Sequence, residues 1–231
     1  MVTCGPSSGR VVSSCDVCEP RWPCVVFDLD GTVVNTIPLI ISSYRHAMDR
    51  VLGETPTDDE ARGWIGQTLY DTFHRLHPAH AQELIDTYIA WNLEHLPDLI
   101  EEFDGVPELL DALSAAGVLT GVATSKRRTS AEVSLQHAGL SGRLPVTVAM
   151  DDTAVHKPNP EPLLLALTRI GRSPGEAAYV GDAVVDVLAA RAAGMSSIAV
   201  SWGAAERDAL VAAEPDFLVD TVAELRAVLL P

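Results

Sequence analysis

The chain has 231 residues, and 16 Lys and Arg against 32 Asp and Glu give it a formal net charge of −16. This length suits one domain with an insertion, or two small domains, with a proper core. Such a charge would repel a nucleic-acid duplex or an anionic membrane, so we expect neither as a partner. The sequence also lacks an apolar run of about 18 residues and the pattern of a secretory signal, which favours a cytoplasmic protein.

All the cysteines lie near the start of the chain, at Cys4, Cys15, Cys18 and Cys24. Residues 1–22 are rich in Ser, Gly and Pro, so we expect a mobile leader, followed by Cys24 as an ordinary strand residue. Cys15 and Cys18 form a C-x-x-C, and a zinc or redox role is the alternative, although the spacing matches no standard paired zinc knuckle. The cysteine-free remainder fits a reducing cytoplasm.

After the leader, the sequence changes character twice. "CVVFDLD" predicts a short buried strand, and residues 37–102 show helical spacing with Gly and Pro punctuation and no convincing strand. From residue 105 onwards, helical and strand patterns alternate. The predicted order is helix "VPELLDALSAAG", strand "LTGVAT", helix "RTSAEVSLQHAG", strand "PVTVAM", helix "EPLLLALTRIG", strand "AAYVGD", helix "VVDVLAARAAG", strand "SSIAVS" and helix "TVAELRAVLL".

This alternation predicts an α/β protein with a Rossmann-like parallel sheet and helices on both faces. Sheets of this kind bind ligands at the carboxyl ends of their strands. The helical segment 37–102 interrupts the pattern, so we predict that it is an inserted all-helical cap on a core formed by residues 23–36 and 103–231. Inserted helical modules above the strand ends commonly act as lids.

Polar side chains follow directly after four of the predicted strands. In chain order they are Asp28 and Asp30; Thr124, Ser125 and Lys126; Lys157; and Asp182 with Asp186. Each of them, taken alone, is more commonly a turn, cap or solvated residue. Complementary polar groups at the ends of four successive strands instead indicate one shared ligand site.

The carboxylates of this set suit a hard metal ion. Asp28 and Asp30 are two residues apart and face the same side, and Asp182 joins them from another strand. Carboxylate oxygens with room for water favour Mg²⁺, which would offset their repulsion and bind a phosphoryl oxygen. One of the first two carboxylates is then free to attack phosphorus, and the other to transfer protons.

The remaining polar groups suit a phosphate. Thr124, Ser125 and the backbone N–H groups of a helix start are suited to hold phosphoryl oxygens. Lys157 would add the positive charge that the chain as a whole lacks. We therefore expect a small phosphorylated substrate as the partner.

The quoted strand ends belong to segments that resemble a known family. "FDLDGTVVNT", "VATSK", "HKPNPEP" and "VGDAVVD" are similar, in this order, to the four motifs of the haloacid-dehalogenase (HAD) superfamily. The resemblance covers about Val25 to the C-terminus and includes an insertion like the family's helical cap. "NTIPLIISSYRHAM", "IGQTLYDTF" and "DDTAVHKPNPEPLLLAL" look like the phosphoglycolate phosphatase group, including its bacterial pyrophosphatase branch.

The resemblance implies a Mg²⁺-dependent phosphatase that hydrolyses a small phosphate ester, or pyrophosphate, through an aspartyl-phosphate. By this resemblance, Asp28 is the nucleophile and Asp30 the general acid and base. Mg²⁺ would be bound by the Asp28 carboxylate, the Asp30 backbone carbonyl and Asp182, with Asp186 acting through water. The expected phosphate-binding residues are Thr124, Ser125, Lys157 and Gly31.

The cap is expected to select the substrate. Relatives place an "IG"-type turn over the active site, which here corresponds to residues 65–68. Gln67 and Thr68 are candidate contacts to the leaving group, and Arg62, Arg75 and His77 are candidates to face an anionic group. Each of them is otherwise a solvated helix residue. Lys126 either borders the phosphate site or starts a helix surface.

Three other functions share parts of this pattern. A sugar phosphomutase uses the same motifs and differs in how its cap holds the intermediate. A 2-haloacid dehalogenase lacks an acid at the position of Asp30, so its presence favours phosphoryl chemistry. A non-catalytic sensor of a phosphorylated metabolite is disfavoured because the motif set is intact.

Overall fold

The computed structural model of the protein describes residues 20–231. The leader cysteines Cys4, Cys15 and Cys18, and with them the C-x-x-C alternative, lie outside the described residues. Cys24 is fully buried in the first strand, and this burial raises the pKa of its thiol to about 11. The side chain therefore behaves as a small apolar core residue.

The strands and helices follow the alternation that the sequence predicts. The strands are β1 (Cys24–Phe27), β2 (Val34–Asn35), β3 (Glu101–Glu102), β4 (Leu119–Ala123), β5 (Val146–Val148), β6 (Ala177–Gly181), β7 (Ser196–Val200) and β8 (Phe217–Val219). The helices are α1 (Ile37–Leu52), α2 (Asp58–Arg62), α3 (Leu69–Leu76), α4 (Ala81–Leu99), α5 (Val106–Ala115), α6 (Arg128–His137), α7 (Glu161–Ile170), α8 (Val184–Ala193), α9 (Arg207–Ala212) and α10 (Val222–Leu229).

Six of the strands form one parallel sheet in the order β5-β4-β1-β6-β7-β8. The central strands β1 and β6 combine small and β-branched residues with one aromatic residue each, and all of these residues are buried, as parallel sheets require. One face packs against α5, α6 and α10, and the other packs against α7 and α8. The predicted α/β class with a Rossmann-like sheet is confirmed.

The helices α1–α4 build a second hydrophobic core of their own. Tyr44 of α1 packs edge-on against Phe73 and Tyr88, with ring centroids 5.4 and 4.9 Å apart. Asn92 is buried among these helices and donates a hydrogen bond to Ser43 Oγ at 2.9 Å. We refer to this helical unit, α1–α4, as the cap.

A two-stranded antiparallel sheet, β2 with β3, stands where the chain enters and leaves the cap. Asn35 Nδ2 donates a hydrogen bond to Glu101 Oε2 across it at 2.9 Å. The expectation of no strand within residues 37–102 is therefore wrong at Glu101–Glu102. Two exposed glutamates have no alternation of apolar and polar residues, so their sequence carries no strand signal. The extent of the cap predicted from the sequence, residues 37–102, stays a prediction.

No helix within residues 20–231 has the length and apolar content needed to cross a membrane.

Candidate active site

The register of the sheet brings the carboxyl ends of three strands to one place. Phe27, the last residue of β1, is paired with Val122 of β4 and with Val180 of β6. The polar residues that follow these strands therefore emerge side by side at one edge of the sheet, where α/β proteins bind ligands.

Three carboxylates meet at this edge. Asp28, Asp182 and Asp186 are all buried, and each offers an oxygen within 4.8 Å of the others. Asp182 accepts hydrogen bonds from the Ala204 backbone N–H at 2.6 Å and from the Thr32 hydroxyl at 3.2 Å. These bonds fix the direction of a carboxylate that burial would otherwise leave poorly solvated.

Lys157 joins this carboxylate group from the loop between β5 and α7. Its Nζ donates hydrogen bonds to Asp28 Oδ1 at 2.9 Å, to Asp186 Oδ1 at 2.6 Å and to the Tyr179 hydroxyl at 3.0 Å. Tyr179 donates in turn to the backbone carbonyl of Ala123 at 2.7 Å. Burial lowers the pKa of Lys157, but Asp186 and Asp28 outweigh it and raise that pKa well above its usual value.

The charges of this buried group do not balance. Burial raises the pKa of Asp28 to about 7, Lys157 acts against this shift, and Asp186 adds to it. Burial, together with Asp186 and Asp28, also raises the pKa of Asp182 well above its usual range. Three carboxylates beside one ammonium carry two surplus negative charges when ionised, and the donors are all oxygen atoms. This donor set fits a hard divalent cation.

Asp30 lies apart from this carboxylate group and has different partners. Its Oδ1 accepts hydrogen bonds from Lys126 Nζ at 2.8 Å and from the Thr36 hydroxyl at 2.7 Å. The Asp30 and Lys126 side chains are only 14% and 11% exposed, so this ion pair is largely shielded from water. Asp28 and Asp30 thus occupy distinct electrostatic environments although they are two residues apart.

Gly31 permits the close packing of the first motif on Asp182. Its φ of +76° is in the left-handed region, and a Cβ atom there would lie 2.2 Å from Asp182 Oδ2. A side chain at this position would therefore displace a carboxylate of the buried group.

The residues after β4 face both the site and the cap. Thr124 is buried, and its hydroxyl accepts a hydrogen bond from the Lys126 backbone N–H at 3.2 Å. The Ser125 hydroxyl donates to the backbone carbonyl of Gly66, in the cap, at 2.8 Å. The core and the cap therefore meet directly above the strand ends.

A cavity of about 450 Å³ lies between the core and the cap. Asp28, Asp30 and Thr124 line its core side, together with Ser125 and Lys126. Its volume is in the range of sites that bind small organic molecules.

The sequence-predicted cap residues separate into two groups. Gln67 lines the cavity, as does Lys126 on the core side. Thr68 instead caps α3, where its hydroxyl accepts from the Asp71 backbone N–H at 3.0 Å.

The remaining cap candidates, Arg62, Arg75 and His77, do not line the cavity. Arg62 Nη1 donates to the Gly203 carbonyl at 3.5 Å, in a groove on the outside of the cap–core contact. Arg75 is exposed and donates to Gln67 Oε1 at 3.3 Å. His77 ends α3.

Sequence reasoning missed three residues that hold the site together. Tyr179 contacts Lys157, while Thr36 and Thr32 contact Asp30 and Asp182. Tyr179 lies inside an apolar strand, where the pattern indicates only core packing. Thr32 and Thr36 lie within the first motif, and their polar side chains close to a pair of carboxylates were the available signal.

Comparison with known proteins identifies the class. The family model described as haloacid dehalogenase-like hydrolase matches residues 25–200. A pyrophosphatase PpaX from Bacillus velezensis is 36% identical over 207 residues, which cover 90% of this chain and 96% of that protein. A PpaX from Bacillus cereus is 37% identical over 205 residues, with 89% and 95% covered. The chain therefore belongs to the haloacid dehalogenase-like hydrolase family.

Solved structures share the fold. A predicted phosphoglycolate phosphatase from Haemophilus somnus superposes with a TM-score of 0.79 at 22% identity, over 90% of this chain and 97% of that one. The membership predicted from the motifs is confirmed, and so is the assignment to the phosphatase group of hydrolases. The buried acidic group of Asp28, Asp182 and Asp186 is suited to hold a metal ion.

Proposed function

We propose that this chain is a Mg²⁺-dependent phosphatase that hydrolyses a small phosphate ester, or pyrophosphate, through an aspartyl-phosphate on Asp28. The observation that supports this most directly is the buried group of Asp28, Asp182 and Asp186 linked to Lys157. Its second support is Asp30, which lies beside the same cavity with partners of its own. A nucleophile and a proton-transfer group need different environments, and these two carboxyl groups have them.

Asp28, Asp182 and Asp186 would hold the Mg²⁺ ion, and the family resemblance adds the Asp30 backbone carbonyl. When bound, the ion supplies positive charge that neutralises the surplus carboxylate charge and polarises a phosphoryl oxygen.

In the first step, an oxygen of Asp28 attacks phosphorus, a P–O bond to Asp28 forms, and the P–O bond to the leaving group breaks. Asp30 donates a proton to the leaving oxygen, which departs as an alcohol, or as phosphate if the substrate is pyrophosphate. Lys126 and Thr36 hold the Asp30 carboxyl group beside the cavity for this transfer.

In the second step, Asp30 takes a proton from a water molecule whose oxygen attacks phosphorus. The bond between Asp28 and phosphorus breaks, inorganic phosphate leaves, and both carboxyl groups return to their starting state. Lys157 and Thr124, with the backbone of Ser125 and Gly31, bind the phosphoryl oxygens throughout. Their local positive charge and donors are needed because the whole chain, at −16, repels anions.

The test is phosphate release from p-nitrophenyl phosphate with Mg²⁺, and its loss with EDTA. Asp28→Asn is expected to lower kcat by roughly 10³-fold or more, because the nucleophile is removed while the shape is kept. Asp104→Asn, at an exposed aspartate outside the cavity, is the matched control and should keep full activity.

Full turnover by Asp28→Asn, or phosphate release that EDTA leaves unchanged, would contradict the proposal. Isomerisation of a sugar phosphate without net phosphate release would indicate a phosphomutase. Chloride release from a 2-haloacid would indicate a dehalogenase, and tight ester binding without turnover a sensor.

A further inference from the structure

The cavity between core and cap has two chemically different walls. The core wall carries every acidic and basic side chain that lines the cavity, including Asp28 and Asp30 and the basic residues Lys126, Arg127 and His156. The cap wall, which lies entirely within the described residues, carries no Lys, Arg, His, Asp or Glu.

The cap wall is mainly apolar. Its aliphatic side chains are Ile40, Ile65, Leu69, Ile85 and Ile89. Tyrosines complete the surface, and the polar side chains besides them are the neutral amides of Gln67, Gln82 and Asn92. A leaving group that enters this half of the cavity loses water and gains mostly carbon contacts.

An anionic leaving group is poorly matched to this wall. A second phosphoryl group, or a carboxylate, would face aliphatic carbon with no cap cation beside it, and an unpaired buried anion is costly. Lys126 is already engaged by Asp30 at 2.8 Å, on the core side. The cap arginines Arg62 and Arg75 do not line the cavity.

We infer that the substrate is a phosphate monoester of an organic alcohol whose body is neutral and largely apolar, held by the cap half of the cavity. This inference rests on the proposed phosphatase activity and narrows its substrate class. The ester P–O bond breaks, Asp30 supplies the proton, and water provides the oxygen for the released phosphate, so the products are the alcohol and inorganic phosphate. Pyrophosphate, the substrate named for the PpaX relatives, is then a poorer substrate for this chain.

The first measurement is a series of n-alkyl phosphates from methyl to hexyl, with pyrophosphate alongside, at saturating Mg²⁺. The leaving alcohols in this series have similar basicity, so differences in rate report on binding in the cavity. We expect kcat/KM to rise about fourfold for each added CH₂ group until the chain fills the cavity, the factor expected for burying one methylene. The kcat/KM for hexyl phosphate should exceed the kcat/KM for pyrophosphate.

A pair of variants ties this preference to the cap wall. Leu69 is half-buried and lines the cavity, whereas Leu52 is half-buried in the cap and does not line it. We expect Leu69→Lys to lower the ratio of kcat/KM for hexyl phosphate over methyl phosphate about tenfold. Leu52→Lys should leave the ratio unchanged.

The outcomes separate this inference from the proposed function. No phosphate release from any compound would overturn the proposed function itself. Phosphate release that is fastest from pyrophosphate would overturn the inference, and so would a kcat/KM that does not depend on the length of the alkyl chain. Either result would leave the proposed phosphatase activity standing. If Leu69→Lys does not fold, the wild-type series alone decides between these results.

Discussion

The core and the cap contribute to one cavity by opposite physical means. The core contribution is a set of buried charges, each held by a named partner, as with Lys157 between Asp28 and Asp186. The cap contribution is a neutral surface made by the same kind of side chains that hold the cap together, such as Ile85 and Tyr88. The difference suggests that the core determines which bond is broken, and that the cap determines which molecule carries that bond.

The two regions also differ in how they tolerate change. A buried charged cluster depends on every member, because removing one leaves the others unpaired in a poorly polarisable surrounding. An apolar wall depends on area and volume, so single substitutions change it by increments. Substitutions in the core site should therefore affect all substrates together, whereas substitutions in the cap should change their ranking.

The largest effect is expected for Lys157→Met. This change leaves the buried carboxylates of Asp28 and Asp186 without their ammonium partner, which should cost about 3–5 kcal/mol of unfolding free energy and lower Tm by roughly 10 °C. Activity should fall at least about hundredfold for every substrate, because the cation that we propose to bind the phosphoryl group is lost. Thermal unfolding without Mg²⁺ and phosphate-release kinetics measure the two losses.

Saturating Mg²⁺ should restore part of the lost stability of Lys157→Met, because a bound cation compensates the same carboxylates. Lys157→Arg is the control that keeps the charge, and it should lose less stability than Lys157→Met. An unchanged Tm in Lys157→Met would show that the ammonium does not hold this group together, and that the stability of the core does not depend on this single charge.

The sequence predicted the core better than the cap, for a physical reason. Short apolar runs between helices that end in Gly are typical of parallel strands. The bounds predicted for β4, β6 and β7 therefore agree with the structure within one or two residues. β8 and the short α9 were missed, because a three-residue strand and a six-residue helix carry little periodicity.

The site divides in the same way. Residues at strand ends are brought together by sheet register, and the order of the motifs along the chain is enough to predict that Asp28 and Asp182 meet. Cap residues face the cavity or turn away according to helix packing, which single-sequence spacing does not determine. Gln67 and Thr68 are adjacent in the sequence, yet one lines the cavity and the other caps a helix.

A smaller effect is expected where the cap touches the core. Gly66 has a φ of +92°, and a Cβ atom there would lie 2.9 Å from Ala183 Cβ and 3.1 Å from Val185 Cγ2. Gly66→Ala should therefore push the cap away from the strand ends. We expect kcat/KM to fall about tenfold, because the cap residues that line the cavity are then displaced from the reacting groups of the core.

Gly53→Ala is the matched control for this substitution. Gly53 has a φ of +71° and nothing within 4 Å of the added methyl, so it carries the same backbone strain without a clash. Both variants should lose about 1 kcal/mol of stability, measured by urea denaturation, and Gly66→Ala alone should lose activity. Equal activity in the two variants would mean that the contact between Gly66 and α8 does not position the cap.

The smallest effect is a change of stability with pH that we expect at Asp152, which anchors the loop that carries Lys157. Its carboxylate accepts hydrogen bonds from Arg169 at 3.0 Å and from Arg128 at 2.6 Å, and these contacts, led by Arg169, hold its pKa below the usual range. A carboxyl group whose pKa is lower in the folded than in the unfolded protein stabilises the fold at pH values above its unfolded pKa. This stabilisation is lost as the pH falls toward the folded pKa. Asp152→Asn should therefore cost about 1–2 kcal/mol at pH 7. The loss of unfolding free energy caused by Asp152→Asn should be about 0.7 kcal/mol smaller at pH 3.5 than at pH 7.

Glu132 provides the control for this last prediction, because it lies 3.8 Å from Arg128 but is well exposed. Glu132→Gln should change the unfolding free energy by less than about 0.5 kcal/mol at either pH, as expected for a surface ion pair. Urea denaturation of both variants at the two pH values measures the effect. A loss in Asp152→Asn that does not diminish on acidification would mean that Asp152 acts through packing and not through its charge. The loop that brings Lys157 to the core site would then be held by the same kind of neutral contacts that shape the cap.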